Sequence, residues 1–530
     1  MRSAWVFVVI TATAVSPACA EWFLTQRDAA QPPPPCHGEA ELAPAVVADF
    51  HRGAAGGLVW GDDAQFRELL AALESLSAHG LSPEHYRLAD LRREAGDPRD
   101  RDCIATDAWF SAASHLANGK LDPATFQPNW TAARRSTDLA SVLSKSIRTG
   151  TISKSLSSLA PRQPEYAVLM SELQLLRSLA RLELEAVEPL EPRERGRKKN
   201  RKAKRKAAER RDKVRVLHKW LEGLGLSGPL ADTEELDETT VRTLADFQKE
   251  AGLPASGALD SATIEALERL RQSRLDRVRV NLERWRWLPD ELGRRHVRAN
   301  IAGFDVTAFE NGSPVRTHAA IVGRLYRRTP VFSDEIAYLV FNPWWETPAS
   351  LARTDQLKLF SRDPAAPKRM GFQVLDREGN LVDPDSVQWT RLTAAQFPYR
   401  LRQAPGDQNP LGRVKMIFPN RHNVYLHDTP KQGLFAQRQR AFSSGCVRVQ
   451  YALELAEWLL EETGGWDREK IDAALASGSQ LRVNLAQKVP VHILYLTATV
   501  EMDGGVRFLD DIYGRDRIVL DSLDKRAEEG

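Results

Sequence analysis

Residues 193–215 (RERGRKKNRKAKRKAAERRDKVR) hold 14 Lys and Arg against three Asp and Glu. A run this charged cannot enter a core, because burying unpaired charge is too costly. It therefore divides the chain into units that fold on either side of it. The length of 530 residues also exceeds what one core usually organises. The run carries +11 in a chain whose net charge is only +3, so the remainder is mildly acidic. A dedicated nucleic-acid binder would be basic over much more of its surface. For the run itself three readings stand: nucleic-acid binding, a solvated and partly helical linker, or adhesion to an anionic envelope polymer or lipid surface.

The N-terminus bears on that choice. Arg2 precedes an apolar stretch at 4–15 that is too short to span a bilayer, followed by Ala18-Cys19-Ala20. This pattern predicts a signal peptide at 1–20, cleaved after Ala20, and hence an exported protein with no transmembrane segment afterwards. Export favours the linker reading of 193–215. Residues 21–40, with Pro32 to Pro35 in succession, read as a Pro-rich spacer. Four cysteines are too few for a disulfide-built scaffold, and cleavage leaves Cys36, Cys103 and Cys446. A pairing of Cys36 with Cys103 would leave Cys446 as the free thiol.

Periodicity predicts a multidomain α+β chain. Residues 41–192 read as a helical scaffold domain, as in FRELLAALESL with Phe66, Leu69, Leu70, Leu73 and Leu76. Its His51, His79, His85 and His115 are scattered, which suits surface or capping roles. Residues 193–215 form the basic linker. A small helical module follows at 216–272, with Val241, Leu244 and Phe247 at helical spacing, a stop at Gly252 and Pro254, and Asp260 as N-cap of a helix carrying Ile264, Leu267 and Leu270. From about Arg279 the pattern turns to strands within a β-rich domain at 275–500. VRANI, IAYLVF and RVKMIF alternate, and Asn311-Gly312 suits a hairpin turn. Residues 348–410 show little period and read as a lid insertion. YALELAEWLLEE after Gln450 is an amphipathic helix, and 501–530 is a C-terminal tail.

The chemistry lies in NVYLHDTPKQGLFAQRQRAFSSGCVRVQ, residues 423–450. Period 2 puts Val424 and Leu426 on one strand face, Tyr425 and His427 on the other. Cys446 follows Ser443, Ser444 and Gly445, where glycine allows a tight turn and close approach of a substrate. A Cys–His pair supplies nucleophilic acyl transfer, with imidazole taking the thiol proton and returning it to a leaving amine. Backbone N–H groups at Gly445 and Cys446 are candidate oxyanion donors. Arg438, Arg440 and Arg448 add positive charge that would lower the thiol pKa or hold substrate carboxylates. A following helix would add to this if its N-terminus pointed at the sulfur. No second Cys or closely spaced His pair suggests zinc, and no phosphate-loop pattern suggests a nucleotide, so neither metal nor cofactor is expected. Trp285, Trp287, Trp344 and Trp345 fit core and lid packing better than glycan stacking.

The spacing His427 … Ser444-Gly445-Cys446-Val447-Arg448 resembles the signature of the L,D-transpeptidase catalytic domain. FQKEAGLPASGALDSATIEAL resembles the helical peptidoglycan-binding domain of cell-wall enzymes. VGRLYRRTPVFSDEIAYLVFNPWWETP and NPLGRVKMIFPN resemble the long, multidomain branch of the transpeptidase family. The resemblance implies Cys446 as nucleophile, His427 as general base and acid, Ser444 and Gly445 as the turn before the nucleophile, and Gly445 with Cys446 as oxyanion donors. Arg448, Tyr425 and Arg440 become substrate-binding candidates. Two departures stand out: Asp428 where many members have Gly after the histidine, and Ser444 where many have His. The group orienting His427 is either a backbone carbonyl or Ser443.

The implied reaction is acyl exchange on peptidoglycan stems in the periplasm or envelope, releasing terminal D-alanine and forming 3→3 cross-links without ATP. Carbapenem acylation of Cys446 is implied as well. Partners would be stem peptides, glycan and other cell-wall synthesis enzymes. A hydrolase on the same stems and a non-catalytic wall-binding scaffold are the competing readings.

Overall fold

The computed structural model describes residues 44–53, 58–93, 97–187, 201–230 and 236–525. The expected signal peptide at 1–20, the expected spacer at 21–40, Cys36 and the first part of the basic run, 193–200, lie outside them.

The helical scaffold is built on α1 (Asp63–Ser75) and α2 (Pro98–Asn118). α1 starts where the Asp62 carboxylate accepts the N–H groups of Ala64 and Gln65 at 2.8 and 3.0 Å. Its apolar stripe of Phe66, Leu69 and Leu73 packs with Trp109 and Leu116 of α2 in one core cluster. The histidines here take interior hydrogen bonds in place of the expected surface roles. His79 meets the Tyr166 hydroxyl and His115 the Tyr86 hydroxyl, each at 3.0 Å, because helix packing sets tyrosines opposite them. Cys103 is disulfide-bonded.

From Arg201 the basic run is helical. Its described part opens α3 (Arg201–Gly223), which continues unbroken into the buried Val214, Leu217, Trp220 and Leu221. Lys, Arg and Ala favour helix, so charge and core share one rod across the expected boundary. α4 (Glu238–Glu250) and α5 (Ser261–Arg286) complete this unit. Asp260 caps α5 as expected, its Oδ1 accepting the Thr263 N–H at 2.8 Å and hydroxyl at 2.6 Å. The change to strands, expected near Arg279, comes only at Arg295. Leu275, Val278, Leu282 and Trp285 keep a helical stripe that buries against the same cluster, and so carry α5 onward. Trp285 and Trp287 are core residues. The segment after 500 is also integrated. A hairpin of Ala498–Val500 and Val506–Phe508 packs on the helical cluster, and α6 (Asp516–Asp524) returns to α5, where Arg284 meets Asp516 at 2.7 Å.

The β-rich domain is a nine-stranded sheet. Its strands are β1 (Arg295–Asn300), β2 (Asp305–Glu310), β3 (Ser313–Gly323), β4 (Phe332–Phe341), β9 (Val414–Ile417), β10 (Leu426–His427), β11 (Ala441–Ser443), β12 (Val447–Val449) and β13 (Leu481–Leu494). β2 pairs with both β1 and β3, so the sheet curls back on itself. Asn311 and Gly312, both with positive φ, make the expected β2–β3 turn. A helix (Ala452–Leu460) buries Leu455, Trp458 and Leu459 against the sheet core.

The insertion is a folded unit. It starts at Trp345, slightly before the expected 348, with a four-stranded sheet of β5 (Trp345–Glu346), β6 (Phe372–Leu375), β7 (Leu381–Val382) and β8 (Arg400–Gln403) in the order β5-β8-β6-β7. Phe360, Phe372, Trp389, Phe397 and Leu401 form its own core. Strands of two to four residues are too short to print a period on the sequence. Among the described residues, no helix is long and apolar enough to cross a membrane.

Candidate active site

The turn carrying Cys446 joins β11 to β12. Ser443 Oγ donates to the Cys446 carbonyl at 2.6 Å and accepts the Gly445 N–H at 3.0 Å. Thr329 Oγ1 donates to the Gly445 carbonyl at 2.9 Å, so both ends of the turn are pinned. Gly445 has φ of +124°, while an added Cβ would meet nothing within 4 Å. Backbone conformation, not space, demands glycine there. The half-buried Cys446 thiol donates to the Asn423 carbonyl at 3.5 Å, with Tyr425 close enough to pull its pKa down. The expected helix N-terminus is not beside it: β12 intervenes, and the helix begins only at Ala452.

His427 sits on the neighbouring strand. β10 pairs in parallel with β12, Leu426 opposite Val447 and His427 opposite Arg448. Val424 and Leu426 enter the core, while the rings of Tyr425 and His427 lie 5.6 Å apart. The alternation expected from sequence is therefore present, although the paired strand itself is only two residues long. A backbone carbonyl orients the imidazole: Nδ1 donates to the Asp428 carbonyl at 2.5 Å. Ser443 is occupied in the nucleophile turn. The Asp428 carboxylate accepts the Arg413 N–H at 2.9 Å and lies where a Cβ on Gly412 would clash, so it ties down the loop before β9.

Burial, reinforced by Arg448, lowers the His427 pKa to about 3. Burial raises the Cys446 thiol pKa, against opposing pulls from Tyr425, Arg448 and Lys415. The resting pair is thus a neutral thiol and a neutral imidazole.

The cations sort differently from the sequence expectation. Arg448 stands beside His427, and its Nε is buried without a hydrogen-bond partner among the described residues. Arg440 is spent on structure: its guanidinium donates to the carbonyls of Ala320, Phe304 and Gln437. That clamps β3 and the turn before β2. Two residues absent from the sequence reading join the site. Lys415 on β9 is directly opposite His427, with Nζ 5.8 Å from the Tyr425 ring centroid. The alternation of RVKMIF carried that signal, since Val414 and Met416 face the core. Arg327 donates to Ser444 Oγ at 3.1 Å and grips Asp355 of the insertion through both oxygens, at 2.6 and 2.7 Å. Nothing local in sequence announces that contact.

A cavity of about 710 Å³ opens beside Asp428, lined by Gly412, Arg413, Thr429, Gln432 and Tyr451 among others; neither Cys446 nor His427 lines it. Among the described residues no group of His, Cys, Asp and Glu could hold a metal ion.

Comparison with known proteins fits this arrangement. Residues 294–491 match the family model described as "L,D-transpeptidase catalytic domain", from just before β1 into β13. Residues 210–267 match "Putative peptidoglycan binding domain", and 45–173 match "Scaffold domain". A Haemophilus influenzae protein named "Putative L,D-transpeptidase" is 37% identical over 241 residues, which cover 46% of this chain and 48% of the relative. The matched stretch thus spans about half the length of that relative. A crystal structure of the L,D-transpeptidase from Xylanimonas cellulosilytica is 15% identical, covering 53% of this chain and 91% of that one, at a TM-score of 0.17. A score that low carries no structural argument. The domain matches place a helical N-terminal region and a peptidoglycan-binding helical domain ahead of an L,D-transpeptidase catalytic domain.

Proposed function

We propose that this protein is an envelope L,D-transpeptidase using Cys446 to transfer an acyl group between peptidoglycan stems. The observation that carries this reading is the placement of Cys446 at the entry to β12 and of His427 on β10, the strand paired with β12, within the segment matched to the catalytic domain.

The thiol proton passes to His427 as the sulfur attacks the carbonyl of the third residue of a tetrapeptide stem. With Nδ1 held by the Asp428 carbonyl, Nε2 is the nitrogen that takes this proton. Charge developing on the carbonyl oxygen is met by the Cys446 N–H and the Tyr425 hydroxyl. Gly445, expected as a second donor, has its N–H engaged by Ser443 Oγ, so its contribution is the turn itself. The C–N bond breaks, His427 returns the proton to the departing D-alanine amine, and a thioester remains on Cys446. The side-chain amine of a second stem attacks the thioester and loses a proton to His427. The sulfur leaves and is reprotonated, completing a 3→3 cross-link. The energy of the cleaved peptide bond is kept in the thioester, so ATP has no role.

Arg448 and Tyr425 are the substrate-contacting candidates, and Ser444 fixes the approach through Arg327. Export by residues 1–20 would deliver the enzyme to the periplasm, and the module around 216–272 would hold it on the wall. Incubating the mature protein with tetrapeptide-stem muropeptides, followed by mass spectrometry, tests the reading. Cross-linked dimers with loss of D-alanine support it. Tripeptide stems alone would replace it with hydrolysis, and no product would leave only a wall-binding scaffold.

A further inference from the structure

We propose that Lys415 is the fixed cation that holds the charge on the Cys446 sulfur as the thiol proton leaves. The inference rests on the cysteine-nucleophile reading above and adds a residue to it.

Lys415 occupies the central strand beside the active pair. β9 runs antiparallel to β10 with Lys415 opposite His427, and its neighbours Val414 and Met416 are buried in the sheet core. The alternation turns Lys415 to the face shared by Tyr425 and His427. Its Nζ lies 5.8 Å from the centroid of the Tyr425 ring, and Lys415 and Tyr425 both pull the pKa of the Cys446 thiol down. A lysine on a sheet usually extends its ammonium into water. This one is half-buried, and burial lowers its pKa, with Glu346 and Cys446 as the charges that oppose the shift. Among the described residues its ammonium makes no salt bridge within 4 Å.

The charged and titratable groups around it are few. They are Tyr425 and His427 on β10, Cys446 before β12, Arg448 on β12 and Glu346 on β5 of the insertion. With His427 neutral, Lys415 and Arg448 are two cations flanking a neutral thiol. Ionising the sulfur gives each of them an anion to attract. A weakly basic imidazole needs that help, because proton transfer from a buried thiol is otherwise uphill. Lys415 lies over the Tyr425 ring beside Cys446, and its role is positioning of charge.

The pH dependence of Cys446 alkylation by iodoacetamide reads thiolate formation directly, with the modified peptide identified by mass spectrometry. In K415M and K415Q the midpoint should rise by about one pH unit, slowing alkylation about tenfold near neutrality. K415R should restore most of the wild-type profile. Equal slowing at every pH with an unmoved midpoint would mean a structural role and overturn the proposal. An unchanged profile in both neutral variants would do the same. Failure of the broader reading looks different: wild-type protein would then alkylate at Cys446 yet form no adduct with carbapenem or muropeptide.

Discussion

The nucleophile turn and the insertion that stands over it are held in opposite ways. The turn from Ser443 to Cys446 is fixed by short hydrogen bonds within itself and to Thr329, inside a sheet with a continuous core. The insertion has its own core and reaches the turn through Arg327, which joins Asp355 and Thr354 to Ser444. That contact is partly exposed, and such ion pairs contribute at most about 1 kcal/mol. On the proposed function, chemistry would sit in the sheet-bound part and access in a separable one. A unit with its own core can shift as a body without disturbing the geometry of the sulfur.

Experiments can push on either side of this division. The largest effect belongs to Cys446→Ala, which should lower product formation by at least about 10³-fold while leaving the thermal melting transition unchanged. Product persisting in that variant would remove the chemistry from the turn altogether.

Ser443→Ala loses two hydrogen bonds of the turn, each worth about 1 kcal/mol. Steady-state kinetics should show kcat falling by about 10- to 100-fold with KM little changed. A fall in KM-dependent terms alone would place Ser443 with access instead.

Acid separates the two regions by stability. His427, with a pKa of about 3, and His296, at about 4, are buried in the sheet domain; their shifts come from desolvation first. The insertion, residues 345–403, contains no histidine. A lowered folded-state pKa means the unfolded chain binds more protons below about 6.5, the ordinary histidine value. The histidine contribution is complete above that pH and is lost as pH falls toward about 4. Hydrogen exchange should therefore show protection in the sheet declining across this window while protection in the insertion core holds. Equal loss in both would mean they unfold as one unit.

The smallest effect is expected at the latch. Arg327→Ala or Asp355→Ala should change KM by a few-fold, with alkylation of Cys446 by a small reagent no slower than in wild type. A kcat loss as large as that of Ser443→Ala would show that the latch shapes the nucleophile, and the division would fail.

The same contrast explains what the sequence could disclose. The His427 face of β10, the glycine turn before Cys446, the Asn311-Gly312 hairpin and the Asp260 cap are local devices, each written in a few adjacent residues. α5 runs past the expected change to strands because Arg and Asn residues between Leu275 and Trp285 hide a stripe that only burial against the helical cluster makes meaningful. Arg440 is close to Cys446 in sequence, but the carbonyls of Ala320 and Phe304 that hold it lie more than a hundred residues away. Arg327 and Asp355 are joined only by the fold of the insertion, whose short strands leave no period. Lys415 could have been found, since it occupies the outward position of an alternating strand, yet its importance depends on β10 being the neighbour.

The central claim is that Cys446 carries the acyl group. The direct measurement is intact-mass spectrometry of the mature protein mixed with a tetrapeptide-stem donor and no acceptor, followed by peptide mapping. The account predicts a covalent adduct equal to the donor less D-alanine, located on the peptide containing Cys446 and released by a thioester-cleaving nucleophile. An adduct on any other residue, or D-alanine release in Cys446→Ala, would contradict it.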